Sequence, residues 1–140
     1  MRTDLGDVAA LSDLYDNVDT LEATAANTTW MDLTTIGPRV TVRRSGLYAI
    51  SWGAVAYGAV ANTDRYMGLL IDAVNPTVLT ANSLSFGGAT YTAGTLVASS
   101  KTMHFGLTAG SVVGCAYRGN ASGAGQFRER WLSLRPIRIT

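Results

Sequence analysis

The side chains able to do chemistry in this sequence are few, and their numbers restrict what the chain can catalyse. His104 is the only histidine and Cys115 the only cysteine. A Ser-His-Asp triad needs an imidazole between a nucleophile and a carboxylate, and a structural zinc site needs several thiolates or imidazoles, so one of each builds neither. His104 stands in the apolar stretch Met103-His104-Phe105 and Cys115 between Gly114 and Ala116. The expected roles are a histidine packed in the fold or facing a subunit boundary, and a buried, inert thiol that has no intrachain disulfide partner. Beyond the first 25 residues the acids are Asp32, Asp64, Asp72 and Glu129. Glycoside hydrolysis would need two of them at a set separation within a groove, and nothing in their spacing joins them. Gly87-Gly88 and residues 119–125 lack the strand, the glycine spacing and the Lys-Ser/Thr of a phosphate loop, so they are turns. Arg43-Arg44 and Arg128/Arg130 belong to a set of ten arginines and one lysine without interleaved exposed aromatics. That pattern suits ion pairs between subunits or with an acidic neighbour better than nucleic acid. No catalytic residue, cofactor or metal ligand is expected; the chain is read as a binding and assembling protein, not an enzyme.

Charge and composition point the same way. Charged residues make up 15% of the chain and apolar ones 47%, so much of the surface must be Gly, Ser, Thr, Asn and Ala. Thin charge gives little protection against sticking, which implies that other subunits cover part of the surface. The formal net charge of +1 conceals an asymmetry. Arg2 faces Asp4, Asp7, Asp13, Asp16, Asp19 and Glu22 in residues 1–25, while the remainder carries ten basic groups against four acids. The chain reads as an acidic arm on a basic body. It has no run of 18 apolar residues and no basic, apolar start, so neither a membrane span nor a signal peptide is expected, and synthesis is placed in the cytoplasm.

The elements follow from periodicity. Leu11, Leu14, Val18, Leu21 and Ala25 recur at spacings of three and four, which predicts one amphipathic helix over residues 7–25, about 28 Å long at 1.5 Å per residue. Its place is either on the body or neighbour, or in a short parallel coiled coil that starts a trimer. Beyond Asn27 the period becomes 2. The clearest strand runs from Gly46 with Tyr48, Ile50, Trp52, Ala54 and Ala56 on one face and Leu47, Ala49, Ser51, Gly53, Val55 and Tyr57 on the other. Neither face is charged, so each needs cover: a second sheet on one side, a neighbouring subunit on the other. Further strands are expected at 29–35, 39–43, 66–72, 95–105, 111–117 and 126–134, punctuated by Gly37-Pro38, Asn75-Pro76, Gly87-Gly88 and Ala109-Gly110. The fold class is all-β, an antiparallel sandwich at 28–140 after a helical arm at 1–27.

Five segments carry a resemblance. Trp30-Met31-Asp32-Leu33, Gly37-Pro38-Arg39-Val40-Thr41-Val42 and Ser45-Gly46-Leu47-Tyr48-Ala49-Ile50 open in the manner of the jelly-roll domains of structural proteins of tailed actinobacterial phages. Those domains are similar in turn to the trimeric heads of the complement and tumour-necrosis-factor superfamily. Residues 102–113 resemble their Leu-x-x-Gly hairpin, and residues 125–134 their last core strand, which runs close to the three-fold axis. The resemblance spans about residues 28–135. It implies a jelly-roll fold, a homotrimer with Tyr48, Ile50, Trp52, Phe127 and Trp131 in its interface or core, and a place on the outside of a virion.

Two functions fit that resemblance. One is a capsid decoration protein that binds the major capsid protein of the shell through an arm carrying Leu11, Leu14, Val18 and Leu21. The other is the receptor-binding tip of a tail fibre gripping a host cell-surface glycan. With about 25 residues before the body, decoration is favoured if 140 residues are the whole product. A cellular signalling ligand is disfavoured by the missing signal peptide and disulfides.

Overall fold

The computed structural model describes residues 13–26, 28–58, 64–74, 83–86, 96–120 and 123–140. These form strands and connections only, with no helix among the described residues. Nine strands run in order: β1 Leu14–Val18, β2 Glu22–Ala23, β3 Arg39–Thr41, β4 Gly46–Gly58, β5 Arg65–Ile71, β6 Ser83–Phe86, β7 Leu96–Leu107, β8 Val112–Arg118 and β9 Gly125–Ile139. They make two antiparallel sheets. One has the order β1-β9-β4-β7, with β2 also on β9; the other has the order β3-β8-β5-β6.

The expected N-terminal helix is corrected where it can be seen. Leu14 to Val18 pair antiparallel with Leu134 to Arg130, and Glu22-Ala23 pair with Phe127-Gln126. Residues 7–12 of the expected helix, Leu11 among them, lie outside the described residues. Leu14 and Val18 are four apart, an even number that puts them on one face of a strand as well as of a helix. What distinguishes the two is Asp16 between them. On a helix it would face water; on β1 it turns inward, and its Oδ2 accepts the backbone N–H of Arg39 at 2.7 Å. That bond ties β1 to β3 and pins one open edge of the sandwich. The opposite edge is pinned by Lys101 of β7, whose Nζ donates to the carbonyl of Ser83 at 3.2 Å.

Alternation places the core between the sheets. Tyr48, Ile50, Trp52, Ala54 and Ala56 of β4 meet Met67 and Leu69 of β5, Val113, Cys115 and Tyr117 of β8, and Phe127, Leu132 and Leu134 of β9. Trp52 is fully enclosed. β9 poses a parity problem, because Phe127 and Arg130 are three apart and both point inward. The solution is a β-bulge. The β4–β9 register shifts between Gly53 and Val55, where Glu129 takes φ 50°, and the extra residue resets the alternation.

Arg130 sits at the heart of this packing with no exposed surface. Its guanidinium donates to Glu22 Oε2 at 3.2 Å and to the carbonyls of Thr35 and Gly37 at 3.3 Å each, and it lies 5.3 Å from the centre of the Tyr117 ring. Tyr117 also donates its hydroxyl to the Gly37 carbonyl. Gly37 can aim that carbonyl inward because its φ of 124° suits glycine and few other residues. A charge so buried is tolerable only when paired and hydrogen-bonded, so Glu22 belongs to the body's core rather than to a detached arm.

Candidate functional site

Of the two uncharged faces expected for β4, one is the core and the other is the outer side of the five-stranded sheet. Register places the outward residues in rows across β9, β4 and β7: Arg135–Ala49–His104, Ser133–Ser51–Thr102, Trp131–Gly53–Ser100, Arg128–Val55–Ala98 and Gln126–Tyr57–Leu96. Tyr15 and Asn17 of β1 extend the second and third rows beside Ser133 and Trp131. The three middle rows contain one charged side chain, Arg128; Ser51 and Thr102 spend their hydroxyls on each other at 2.8 Å. Arg135 lies at one end of this surface and uncharged Gln126, Tyr57 and Leu96 at the other.

Its relief comes from glycine. A Cβ on Gly53 would stand 3.0 Å from Trp131 Cε2 and 2.6 Å from the Ser99 carbonyl. The indole of Trp131 thus lies across the bare backbone of β4, with the short Ser133–Ser51–Thr102 row on one side and the Arg128–Val55–Ala98 row on the other. At one end Leu21, Tyr57, Leu96 and Arg128 enclose a shallow cavity of about 260 Å³. Leu21 is 54% exposed and Leu96 52%, and Tyr15 at the β1 edge is 62% exposed. These put large apolar side chains on the rim of the face.

The residues singled out by sequence fall in different places. Tyr48, Ile50, Trp52 and Phe127 are buried in the subunit's own core, whereas Trp131 is on the outer face. Leu14 packs against the core's margin, Val18 is half-buried and Leu21 is exposed. Asp16, between Leu14 and Val18, is half-buried and bonded to β3.

The chemically capable groups stay apart. His104 is exposed on the outer face of β7. Cys115 is buried, and desolvation pushes its thiol well above the ordinary value, as an inert core cysteine requires. Burial likewise raises the Tyr117 phenol. Glu22 moves the other way: the hydroxyl of Thr35 holds its carboxyl below the ordinary 4.5, with the Thr35 N–H and Arg130 adding to the effect. Asp32 pairs with Arg39 at 3.2 Å, Glu129 with Arg128 at 3.5 Å, and both oxygens of Asp72 accept hydrogen bonds, from Val112 N and Ser111 Oγ. Among the described residues no three His, Cys, Asp or Glu side chains gather to hold a metal ion, and no helix is long and apolar enough to cross a membrane.

Sequence reasoning missed Glu22 with Arg130, and the seating of Trp131 on Gly53. The first left no signal at a spacing of over a hundred residues. The second was foreshadowed by Gly53 in an otherwise strand-forming run, since a glycine there often marks a close approach.

No family model matches this chain, and no curated protein sequence matches it. Among solved structures it is similar to Eiger TNF from S. frugiperda, with a TM-score of 0.51 and 11% identity over 88% of this chain and 95% of that one. It is also similar to a GH26-CBM35 β-(1,4)-mannanase of Podospora anserina (TM-score 0.47, 13% identity, 93% of this chain, 29% of that one). A third is the carbohydrate-binding module CBM6cm-2 of Cellvibrio mixtus lichenase 5A, in complex with cellotriose (TM-score 0.31, 14% identity, 86% and 99%). The first likeness shows the fold, a TNF-like jelly-roll sandwich, and the fold alone; the other two are looser and add nothing to it.

Proposed function

We propose that this chain is a non-enzymatic structural protein of a phage particle: a homotrimer whose subunits meet on the outer face of the β1-β9-β4-β7 sheet and which binds the outside of the capsid shell. The observation that carries assembly is that face itself, uncharged along β4, flattened by Gly53 and rimmed by exposed Tyr15, Leu21 and Leu96. Burying such a face against its own copies removes apolar area at about 25 cal/mol per Å², with Arg128 the one charged side chain in its middle rows. The virion setting rests on the sequence resemblance of residues 28–135 to phage jelly-roll domains, and the trimer on the same resemblance together with the face.

The test has two parts. Light scattering at micromolar concentration is expected to give a trimer, and a stable monomer there would falsify the assembly reading. Purified protein is then mixed with undecorated capsids and sedimented. Removal of Met1–Ser12 leaves β1, β2 and the Glu22–Arg130 pair in place, so the truncated protein stays folded and trimeric while losing the shell. Normal decoration by this truncated protein would remove residues 1–12, Leu11 among them, from the attachment. If the full-length protein ignores shells and adheres to host cells, the tail-fibre tip takes the place of the decoration protein.

A further inference from the structure

The other sheet carries a groove on its outer side. Two adjoining cavities of about 310 and 280 Å³ share Arg39, Leu70 and Ala73. Because Val113, Cys115 and Tyr117 of β8 point into the core, the residues between them, Gly114 and Ala116, point outward and leave a floor almost without side chains. Arg39 reaches over this floor: a Cβ on Gly114 would lie 3.1 Å from its Nε. Its Nη2 donates to Asp32 Oδ1 at 3.2 Å, and both side chains are about two-fifths exposed. Trp30 and Met31 continue the wall on the Asp32 side.

Both walls are held in place. The guanidinium of buried Arg118 lies 5.5 Å from the centre of the Trp30 ring and 4.5 Å from that of Tyr66, and it donates to the Thr28 carbonyl at 3.2 Å. Such stacking keeps the indole propped at the groove's side. Opposite, Asp72 and Ala73 form a turn at φ 51° and 64°, a conformation that costs a residue such as alanine. The Asp72 carboxylate fixes it by accepting from Val112 N at 2.8 Å and Ser111 Oγ at 3.0 Å.

We propose that this groove is a binding site for one ring of a neutral saccharide. An indole offers an apolar surface to the C–H face of a sugar, while the Arg39–Asp32 pair offers planar donors and carboxylate acceptors side by side, the complement of neighbouring hydroxyl groups. The pair is neutral as a unit, so it provides no net attraction for a charged ligand. An anion would have to displace Asp32 from Arg39. Arg39 covers Gly114 and Ala116 is buried, so a ring settles against the Arg39 guanidinium between the two walls, and cavities of this volume suit a small ligand rather than a protein surface. The site stands on the opposite sheet from the proposed subunit interface and goes beyond the assembly reading.

The experiment titrates the full-length protein with a panel of neutral gluco-, manno- and galacto-trisaccharides, by calorimetry and by saturation-transfer NMR. At least one is expected to bind with a Kd of about 1 mM or tighter. Asp32→Asn, a half-exposed and nearly isosteric change, and Trp30→Ala each weaken that binding at least about tenfold, whereas Trp131→Ala on the other sheet leaves it unchanged. Circular dichroism is expected to show Asp32→Asn folded as the parent is, so the conclusion does not depend on the bulkier Trp30→Ala. The assignment is overturned if no trisaccharide binds by about 10 mM, if Asp32→Asn binds as well as the parent, or if polygalacturonate is preferred to every neutral sugar. Light scattering on Asp32→Asn gives the parent's oligomeric state whichever way the sugar titration falls, so the two proposals fail separately.

Discussion

The outer sides of the two sheets are built from the same kinds of small residue and reach opposite shapes. On the β1-β9-β4-β7 sheet, Gly53 is filled by a neighbour's indole, Trp131, so the missing side chain flattens the surface. On the β3-β8-β5-β6 sheet, Gly114 is covered by the Arg39 side chain, and the hollow lies beside that guanidinium, between Trp30, Met31 and the Asp72-Ala73 turn. A glycine on a strand therefore says that something approaches the backbone; the register of the adjoining strand decides whether that neighbour flattens the face or stands beside a hollow. A flat apolar face suits a second protein surface, and a propped polar hollow suits a small molecule.

The comparison breaks most completely if the core joining the two faces is emptied. Trp52→Ala is expected to cost about 3–5 kcal/mol in urea unfolding, because the ring is fully enclosed. Trimer and sugar binding should fall together; retention of either by this variant would show that the faces do not share one core.

Glu22→Ala comes next, at about 3 kcal/mol, since it strands a fully buried guanidinium. The same pair sets a pH dependence. The folded-state carboxyl of Glu22 lies below its ordinary 4.5, so its contribution is fully present above that value and is lost as pH falls through the lower folded value. Urea midpoints measured from neutral pH downward should decline over that acid range. Glu22→Gln should show a shallower decline, and an identical slope in the two proteins would remove Glu22 from the account.

Gly53→Ala sharpens the contrast, because it touches one face only. The new Cβ would press on the Ser99 carbonyl and on Trp131, at a cost of about 1–3 kcal/mol to the fold. The trimer should weaken with no change in sugar affinity. A variant as stable and as trimeric as the parent would mean that the Trp131 seat is not needed.

The smallest effect on the fold should come from Ser51→Arg, in the middle of the flat face. Outward-facing substitutions change stability by about 0.5 kcal/mol or less, but three copies of a cation brought together oppose assembly. Light scattering should then report a folded monomer. An unchanged trimer would place the subunit contact elsewhere.

Much of the sandwich was legible because alternation is local. The run from Gly46 displayed Tyr48, Ile50, Trp52, Ala54 and Ala56 on one face, and those residues are the core. Strands near 39–43, 66–72, 95–105 and 111–117 appear as β3, β5, β7 and β8. Residues 29–35 yield only a bridge from Met31 to Tyr117, and β6, four residues long, gave too short a pattern to notice. The stretch 13–25 was misread as helix because Leu14 and Val18 satisfy both periods, and the pairing that decides between them comes from β9, more than a hundred residues away.

Composition and period were enough to indicate a β body beyond residue 27 with little charge and a central strand uncharged on both faces. Tertiary structure alone decided which apolar face is core and which is outer surface. It also turned Arg130 inward onto Glu22 and brought Trp30, Asp32 and Arg39 to one groove. The division has a physical cause: burial preference and side-chain alternation act between residues a few positions apart, whereas a buried charge pair or a groove exists only once distant strands take up one register.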